Sequence, residues 1–234
     1  MNRILFEPSE LTDGKAVFGD ARAEHVLDVL HGEVGQVLKT GEVDGPVGTS
    51  VIVAIEGRTV TVETHHGEPS LRPWVDLVLA PPRPRVLKRL LPQLAALGAG
   101  RIVLVGAKKV EKDFWGATLL KEEVYRPLLV DGLMQAGTSI LPTIACRRNF
   151  RKFVREELDA MFPGTARIVA HPYGGGRFAS GAPLVLAIGP EGGWTDEEVA
   201  LLEERGFRRY SLGGRILRTD TATVALLAQL MPGD

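Results

Sequence analysis

Several things are scarce in this sequence, and each scarcity removes a class of protein. There is one cysteine, Cys146, so the chain can form neither an internal disulfide nor a thiolate zinc site of its own. The five histidines, at positions 25, 31, 65, 66 and 171, show no metal-ligand spacing, and no metal site is expected. No apolar run approaches the roughly 20 residues of a membrane helix, and no opening apolar stretch has a basic flank and a small-residue cleavage site. The expectation is a cytoplasmic protein with no membrane partner. Aromatic residues make up 6% of the chain, too few to suggest a base-stacking platform.

Net charge is also nearly absent, at −1 over 234 residues, but the total hides two halves of opposite sign. Residues 1–70 hold 12 acidic and 5 basic residues, and the remainder holds 17 acidic and 23 basic. A polyanion should therefore meet mainly the second part. With 44% hydrophobic residues, the chain has enough apolar surface for a large core or two modest ones.

The first part reads as short strands broken by Gly and Asp, at 3–6, 16–18, 34–40, 47–55 and 59–64, with a helix at 21–30. This predicts a small β-barrel. Residues 65–73 (HHGEPSLRP) carry turn formers without periodicity and are the expected linker. Beyond it, apolar runs at 75–80, 102–105, 168–170, 184–188 and 210–212 alternate with helical periods at 84–97, 119–136, 150–161, 195–204 and 219–230. That alternation predicts an α/β domain with a mainly parallel sheet.

Two stretches carry the chemistry. In the first, a strand-like run ends at Ile188 and enters Gly189-Pro190-Glu191-Gly192-Gly193-Trp194, and Thr195 and Glu198 follow at capping-box spacing. Three glycines remove the Cβ atoms that would hold a ligand away from the backbone. The spacing fits neither a P-loop nor a dinucleotide fingerprint. In the second, Leu212-Gly213-Gly214-Arg215-Ile216-Leu217-Arg218-Thr219-Asp220-Thr221-Ala222 places two arginines before an apolar final helix, with Thr219 or Asp220 as candidate N-cap. Such a loop suits recognition of an anion or a base.

These two stretches resemble, in order and spacing, the GPEGGF and LGxRILRTETA motifs of the RsmE family, SPOUT-type methyltransferases that modify N3 of a uridine in 16S ribosomal RNA. Weaker similarity covers residues 3–6, 25–30 and 135–137. The resemblance implies an RNA-binding PUA-like barrel over 1–68. It also implies a SPOUT methyltransferase domain over 74–234 whose parallel sheet ends in a trefoil knot. S-adenosylmethionine is the implied cofactor, held by Leu186, Ile188, Gly189, Glu191, Gly192, Gly193, Leu212, Gly213, Ile216, Leu217 and Thr219. Two subunits are expected to pair through their knotted domains, with ribosomal RNA or the small-subunit particle as partner. Three positions depart from the family pattern: Thr138 stands in place of an arginine, the segment 96–98 lacks an acidic residue, and Pro172 follows His171 in place of a glutamate.

Methylating N3 of uracil requires loss of a weakly acidic proton and stabilisation of the resulting negative charge. Arg218 is the first candidate for the facing cation, Arg215 the second. Glu191 and Asp220 are candidate proton acceptors. Basic clusters at Arg83, Arg85, Lys88 and Arg89, at Lys108, Lys109 and Lys112, and at Arg147, Arg148, Arg151 and Lys152 offer an RNA surface. Two rivals remain: a methyltransferase acting on another RNA such as transfer RNA, and a non-catalytic RNA-binding assembly protein.

Overall fold

Strands whose apolar residues alternate with polar ones build the first sheet. In the computed structural model, which describes residues 1–174 and 183–232, β1 (Ile4–Phe6), β2 (Leu11–Thr12), β3 (Lys15–Phe18), β4 (Val37–Glu42), β5 (Val47–Glu56) and β6 (Thr59–Glu68) form a sheet ordered β1-β4-β5-β6-β3-β2. Only the β1–β4 pair is parallel. One face of these strands and helix α1 (Ala21–Glu24), continued by a π turn over His25–Val29, close on Phe6, Phe18, Val26, Ile52, Val60 and Val62. Arg22 lies over the rings of Phe6 and Phe18. By hydrogen bonding to Glu10 and Asp20 it holds both carboxyls below the usual carboxylate range.

The second sheet comprises β7 (Val75–Leu79), β8 (Ala99–Val105), β9 (Thr143–Arg147), β10 (Ala166–Ala170), β11 (Leu184–Ile188) and β12 (Arg208–Tyr210). Its order is β12-β10-β11-β7-β8-β9, and every pairing is parallel. Strands buried on both faces read as continuous apolar runs, which is why β7, β8 and β11 are legible in the sequence. One face packs on Phe150, Phe153, Val154, Leu158, Phe162, Val199 and Leu202. Those residues come from α4 (Phe150–Lys152), a π turn over Phe153–Glu157, α5 (Leu158–Met161) with Phe162 just after it, and α6 (Asp196–Glu203). α2 (Pro84–Ala96) and α7 (Thr219–Leu230) pack against each other, and α2 buries Leu87, Leu90, Leu91 and Leu94.

The chain separates into two units, Met1–Arg72 with Leu129–Leu141, and Pro73–Leu128 with Pro142–Asp234. The break after Arg72 falls inside the expected linker. Two details differ from the sequence reading. β6 continues through His65 and His66 to Glu68, because the His66 side chain has polar partners inside the first unit: Thr40 Oγ1 at 2.8 Å and Glu42 Oε1 at 3.1 Å. The second difference is that residues 129–141, the end of α3 (Glu122–Ala136) and the turn after it, group with the first unit. There the Met134 carbonyl accepts the N–H groups of Asn2 and Arg3, both at 3.0 Å. Thr138 is buried in that unit, its hydroxyl 2.9 Å from Ser70 Oγ. β9 was absent from the sequence reading because Thr-Ile-Ala-Cys-Arg at a sheet edge has no apolar periodicity.

Candidate active site: a cleft between two glycine loops

Three parallel strands that lie side by side, β12, β10 and β11, end at the same edge of the sheet, and ligands in open α/β sheets gather outside such carboxyl ends. The last residues of these strands, Tyr210, Ala170 and Ile188, line a cavity of about 430 Å³. Most of the rest of its wall comes from the loops after β11 and β12.

The loop after β11 is tied at almost every residue. Gly193 N–H donates to Pro190 O at 2.8 Å, closing a turn, and Gly193 adopts φ +69°, which an L side chain tolerates poorly. A Cβ at Gly189 would lie 3.0 Å from Trp194 N. Arg83 N–H donates to Glu191 Oε1 at 3.1 Å, and Lys109 Nζ donates to Gly192 O at 2.6 Å. Trp194 is buried against Phe150, ring centroids 5.2 Å apart, and its Nε1 has no hydrogen-bond partner among the described residues. The Thr195 and Glu198 capping box is formed, with Thr195 N–H donating to Glu198 Oε2 at 2.9 Å.

Among the described residues, side-chain ties to the loop after β12 lie only at its ends. Ser211 Oγ donates to Pro172 O at 2.9 Å and accepts Gly213 N–H at 3.1 Å. At the other end the Thr219 hydroxyl donates to Gly189 O at 3.4 Å, joining the two loops. Between them, Arg215, Ile216, Leu217 and Arg218 are exposed, Ile216 by 81%. Neither arginine side chain has a hydrogen bond or ion pair among the described residues. Arg218, not Thr219 or Asp220, is the N-cap of α7, at φ −66° and ψ 153° and without a side-chain cap bond.

Most of the sequence candidates meet here. Ile188, Gly189, Glu191, Gly192, Gly193, Leu212, Gly213, Arg215, Ile216, Leu217 and Thr219 all line the cavity. Leu186 does not: it is fully buried in β11, two residues inside the sheet edge. Arg218 lies just outside the wall, and Asp220 faces Arg89 at 3.9 Å. The sequence reading missed His171, Pro172, Tyr173, Tyr210 and Ser211, which also line the cavity. They follow or end neighbouring strands, and only the order of the parallel sheet brings them together. Tyr173 N–H donates to His171 Nδ1 at 3.1 Å. Among the described residues, no group of three His, Cys, Asp or Glu is placed to hold a metal ion.

This arrangement sits within a stretch, residues 69–231, that matches the RNA methyltransferase domain. Over 99% of its length, and 91% of the relative's, the chain is 33% identical to the ribosomal RNA small subunit methyltransferase E of Treponema pallidum. The chain belongs to the ribosomal RNA small subunit methyltransferase E family. The family protein of Synechocystis is 27% identical over 97% of this chain and 76% of its own. In fold the chain matches the family enzyme of Neisseria gonorrhoeae, solved bound to S-adenosyl methionine, with TM-score 0.75 and 22% identity over 97% of this chain and 95% of that one. A Legionella pneumophila protein solved with bound cofactor SAM matches with TM-score 0.75 and 25% identity over the same shares.

The basic clusters of this family member divide by whether protein groups already occupy them. Arg83 pairs with Glu111, Arg147 with Glu157 and Arg151 with Glu197, and Arg148 lies over the Trp115 ring. Arg85, Lys88, Lys108, Lys112 and Lys152 are exposed, and their side chains have no hydrogen bond or ion pair among the described residues.

Proposed function

We propose that this chain methylates N3 of a uridine in small-subunit ribosomal RNA, with S-adenosylmethionine as methyl donor. One observation carries the reading: both glycine loops of a family member open onto a single cavity at the carboxyl ends of β10, β11 and β12. The residues suit the cofactor. At Gly193 and Gly213, both in the wall, a Cβ would meet no atom within 4 Å, so these glycines keep that space clear. Ile188, Leu212, Ile216, Leu217 and Trp194 offer apolar surface, and the loops add backbone donors and acceptors, the mixture expected of a small-molecule site in this volume range. Ile188, Gly189, Glu191, Gly192, Gly193, Leu212, Gly213, Ile216, Leu217 and Thr219 would hold it, with Leu186 supporting Ile188 from inside the sheet.

When bound, S-adenosylmethionine supplies a methyl group already activated on a sulfonium, so no metal is needed and the protein's task is alignment and charge. Arg218, exposed and unpaired beside the cavity, is proposed to face the negative charge that develops on the uracil as N3 loses its proton. Arg215, in the wall, lies nearer the cofactor. Glu191 is the proposed proton acceptor: one carboxylate oxygen is held by Arg83 N–H, and the other has no partner among the described residues. The five unpaired cations of the second unit would bind the RNA backbone.

The topology and the family support two finer features: a PUA-like first unit and a trefoil knot at the carboxyl end. Homodimerisation through the second unit fits α7, whose Val224 and Ala225 are only partly buried. Among the described residues no helix is long and apolar enough to cross a membrane, and the proposed site of action is the cytoplasm. The test is nucleoside mapping after incubation with isotope-labelled S-adenosylmethionine. Label is expected in N3-methyluridine of small-subunit RNA. Label confined to transfer RNA, or no transfer at all, would overturn the proposal.

A further inference from the structure

The first unit carries the wrong charge for a phosphate backbone. Met1–Arg72 with Leu129–Leu141 contain 13 acidic and 6 basic residues, and three of those six cations are already engaged. The Arg3 side chain bonds the carbonyls of Gly137, Thr40 and Gly48, Arg22 is held by Glu10 and Asp20, and Arg58 pairs with Asp28 at 2.6 Å. That leaves Lys15, Lys39 and Arg72, too few to offset the repulsion.

The same unit exposes aliphatic side chains where a sheet's solvent face is ordinarily polar. Val17 is 60% exposed, Val29 62%, Val34 63%, Val37 59%, Val53 37% and Leu30 42%. Sheet register shows that several of these are neighbours. Val37 pairs with Val51, and an irregularity between Ile52 and Ala54 leaves Val53 outside the pairing. Gly35 N–H donates to Ile52 O at 2.8 Å, which brings Val34 beside Val53. Val29 and Leu30 stand apart from these: they end the helix whose Val26 joins Leu38 and Ile52 in the core, on the other face of the same strands. Around this patch Glu33, Glu56 and Glu63 are exposed, against one cation, Lys39, two residues along β4 from Val37. A contiguous apolar patch with a charged rim marks an interaction site, and the sign of the rim selects the partner.

We propose that this valine face docks a lysine- and arginine-rich protein segment bearing aliphatic side chains, and does not bind RNA. The inference rests on the proposed function only in locating that segment on the small-subunit particle. The first unit then orients the enzyme on a protein, while the basic second unit meets the RNA.

The test compares the full-length protein with two double variants at exposed positions, Val34→Ser with Val53→Ser, and Glu33→Lys with Glu56→Lys. Each is sedimented with intact small-subunit particles and with the RNA stripped from them. Both variants are expected to bind particles about tenfold more weakly and stripped RNA as tightly as the parent, with unchanged affinity for S-adenosylmethionine. Unchanged binding to particles overturns the proposal. Equal losses on particles and stripped RNA also overturn it, since the face then belongs to RNA. A fall in the protein's own assembly mass in the valine variant overturns it in favour of a second copy of the chain. Failure of the methyltransferase reading is seen separately, as absence of methyl transfer by the parent protein.

Discussion

The two loops that form the cleft are built in opposite ways. The one after β11 is held by Arg83 from the loop after β7, by Lys109 from the loop after β8, by its own turn and by the buried ring of Trp194. The one after β12 presents an exposed run from Gly213 to Arg218, and the side chains of its two arginines have no hydrogen-bond or ion-pair partner among the described residues. A group that must be ready before its ligand arrives gains from ties of the first kind. A group that must meet charge appearing only during reaction needs its donors uncommitted, because a guanidinium already neutralised by a carboxylate has little field left to offer. On this contrast the tied backbone of the first loop presets the cofactor site that both loops line, and the untied Arg218 of the second is the cation left free for charge on the RNA.

The largest expected effect tests the untied loop. Replacing Arg218 by Ala should slow single-turnover methylation by roughly a hundredfold or more, the size of losing one pre-organised charge stabiliser, and leave S-adenosylmethionine affinity nearly unchanged. Lysine should restore only part of the rate, since it keeps the charge and loses the planar fork. Arg215→Ala should show the converse, weaker cofactor binding with a smaller loss in rate, because Arg215 lines the cavity and Arg218 does not. Equal behaviour of the two variants would erase the distinction.

The next largest concerns the tied loop. Gly193 sits at φ +69°, where a β-branched residue costs on the order of 1–3 kcal/mol. Gly193→Val should therefore weaken cofactor binding about tenfold or more by calorimetry, as the loop distorts to relieve that cost. Gly192→Val should do less. Gly192 has no such φ, and its added Cβ would meet the flexible Lys109 stem, at 2.8 Å from Cδ. The opposite ranking would mean that free space at Gly192, and not backbone conformation at Gly193, is what the cofactor needs.

The sequence exposed this contrast only in part. Both loops were legible because glycine runs between an apolar strand and a capped helix are local signals, and the Thr195 and Glu198 spacing predicted a capping box that forms. What joins the loops was not legible. Arg83 and Lys109 read as members of basic clusters, and their bonds to Glu191 and Gly192 span more than 80 residues of chain. His171 and Tyr173 reach the cavity because β10 lies between β11 and β12, a spatial order that periodicity does not encode. The run from His65 to Glu68 looked like a linker because its strand is polar, and the polar partners of His66 lie on a different strand. Apolar periodicity reports burial, so it misses elements that are held by polar contacts.

The smallest predicted effect asks whether the ties of the first loop matter one by one. The Lys109 ammonium donates to the Gly192 carbonyl at 2.6 Å, but Lys109 is exposed and water competes for both groups. A hydrogen bond of this kind contributes about 0.5–1.5 kcal/mol, and solvent exposure places it at the lower end. Lys109→Met keeps most of the aliphatic stem beside Gly192 and removes only the donor. The expected result is about a twofold to threefold rise in the dissociation constant for S-adenosylmethionine, with the single-turnover rate at saturating cofactor unchanged. Because Arg83 N–H, the Pro190–Gly193 turn and Trp194 still hold the loop, the loss should stay that small. A tenfold loss would show that Lys109 sets the loop alone, and the picture of distributed ties would fail. A slower rate at saturation would instead place Lys109 among the groups acting on the RNA, and the division of labour between the two loops would then fail with it.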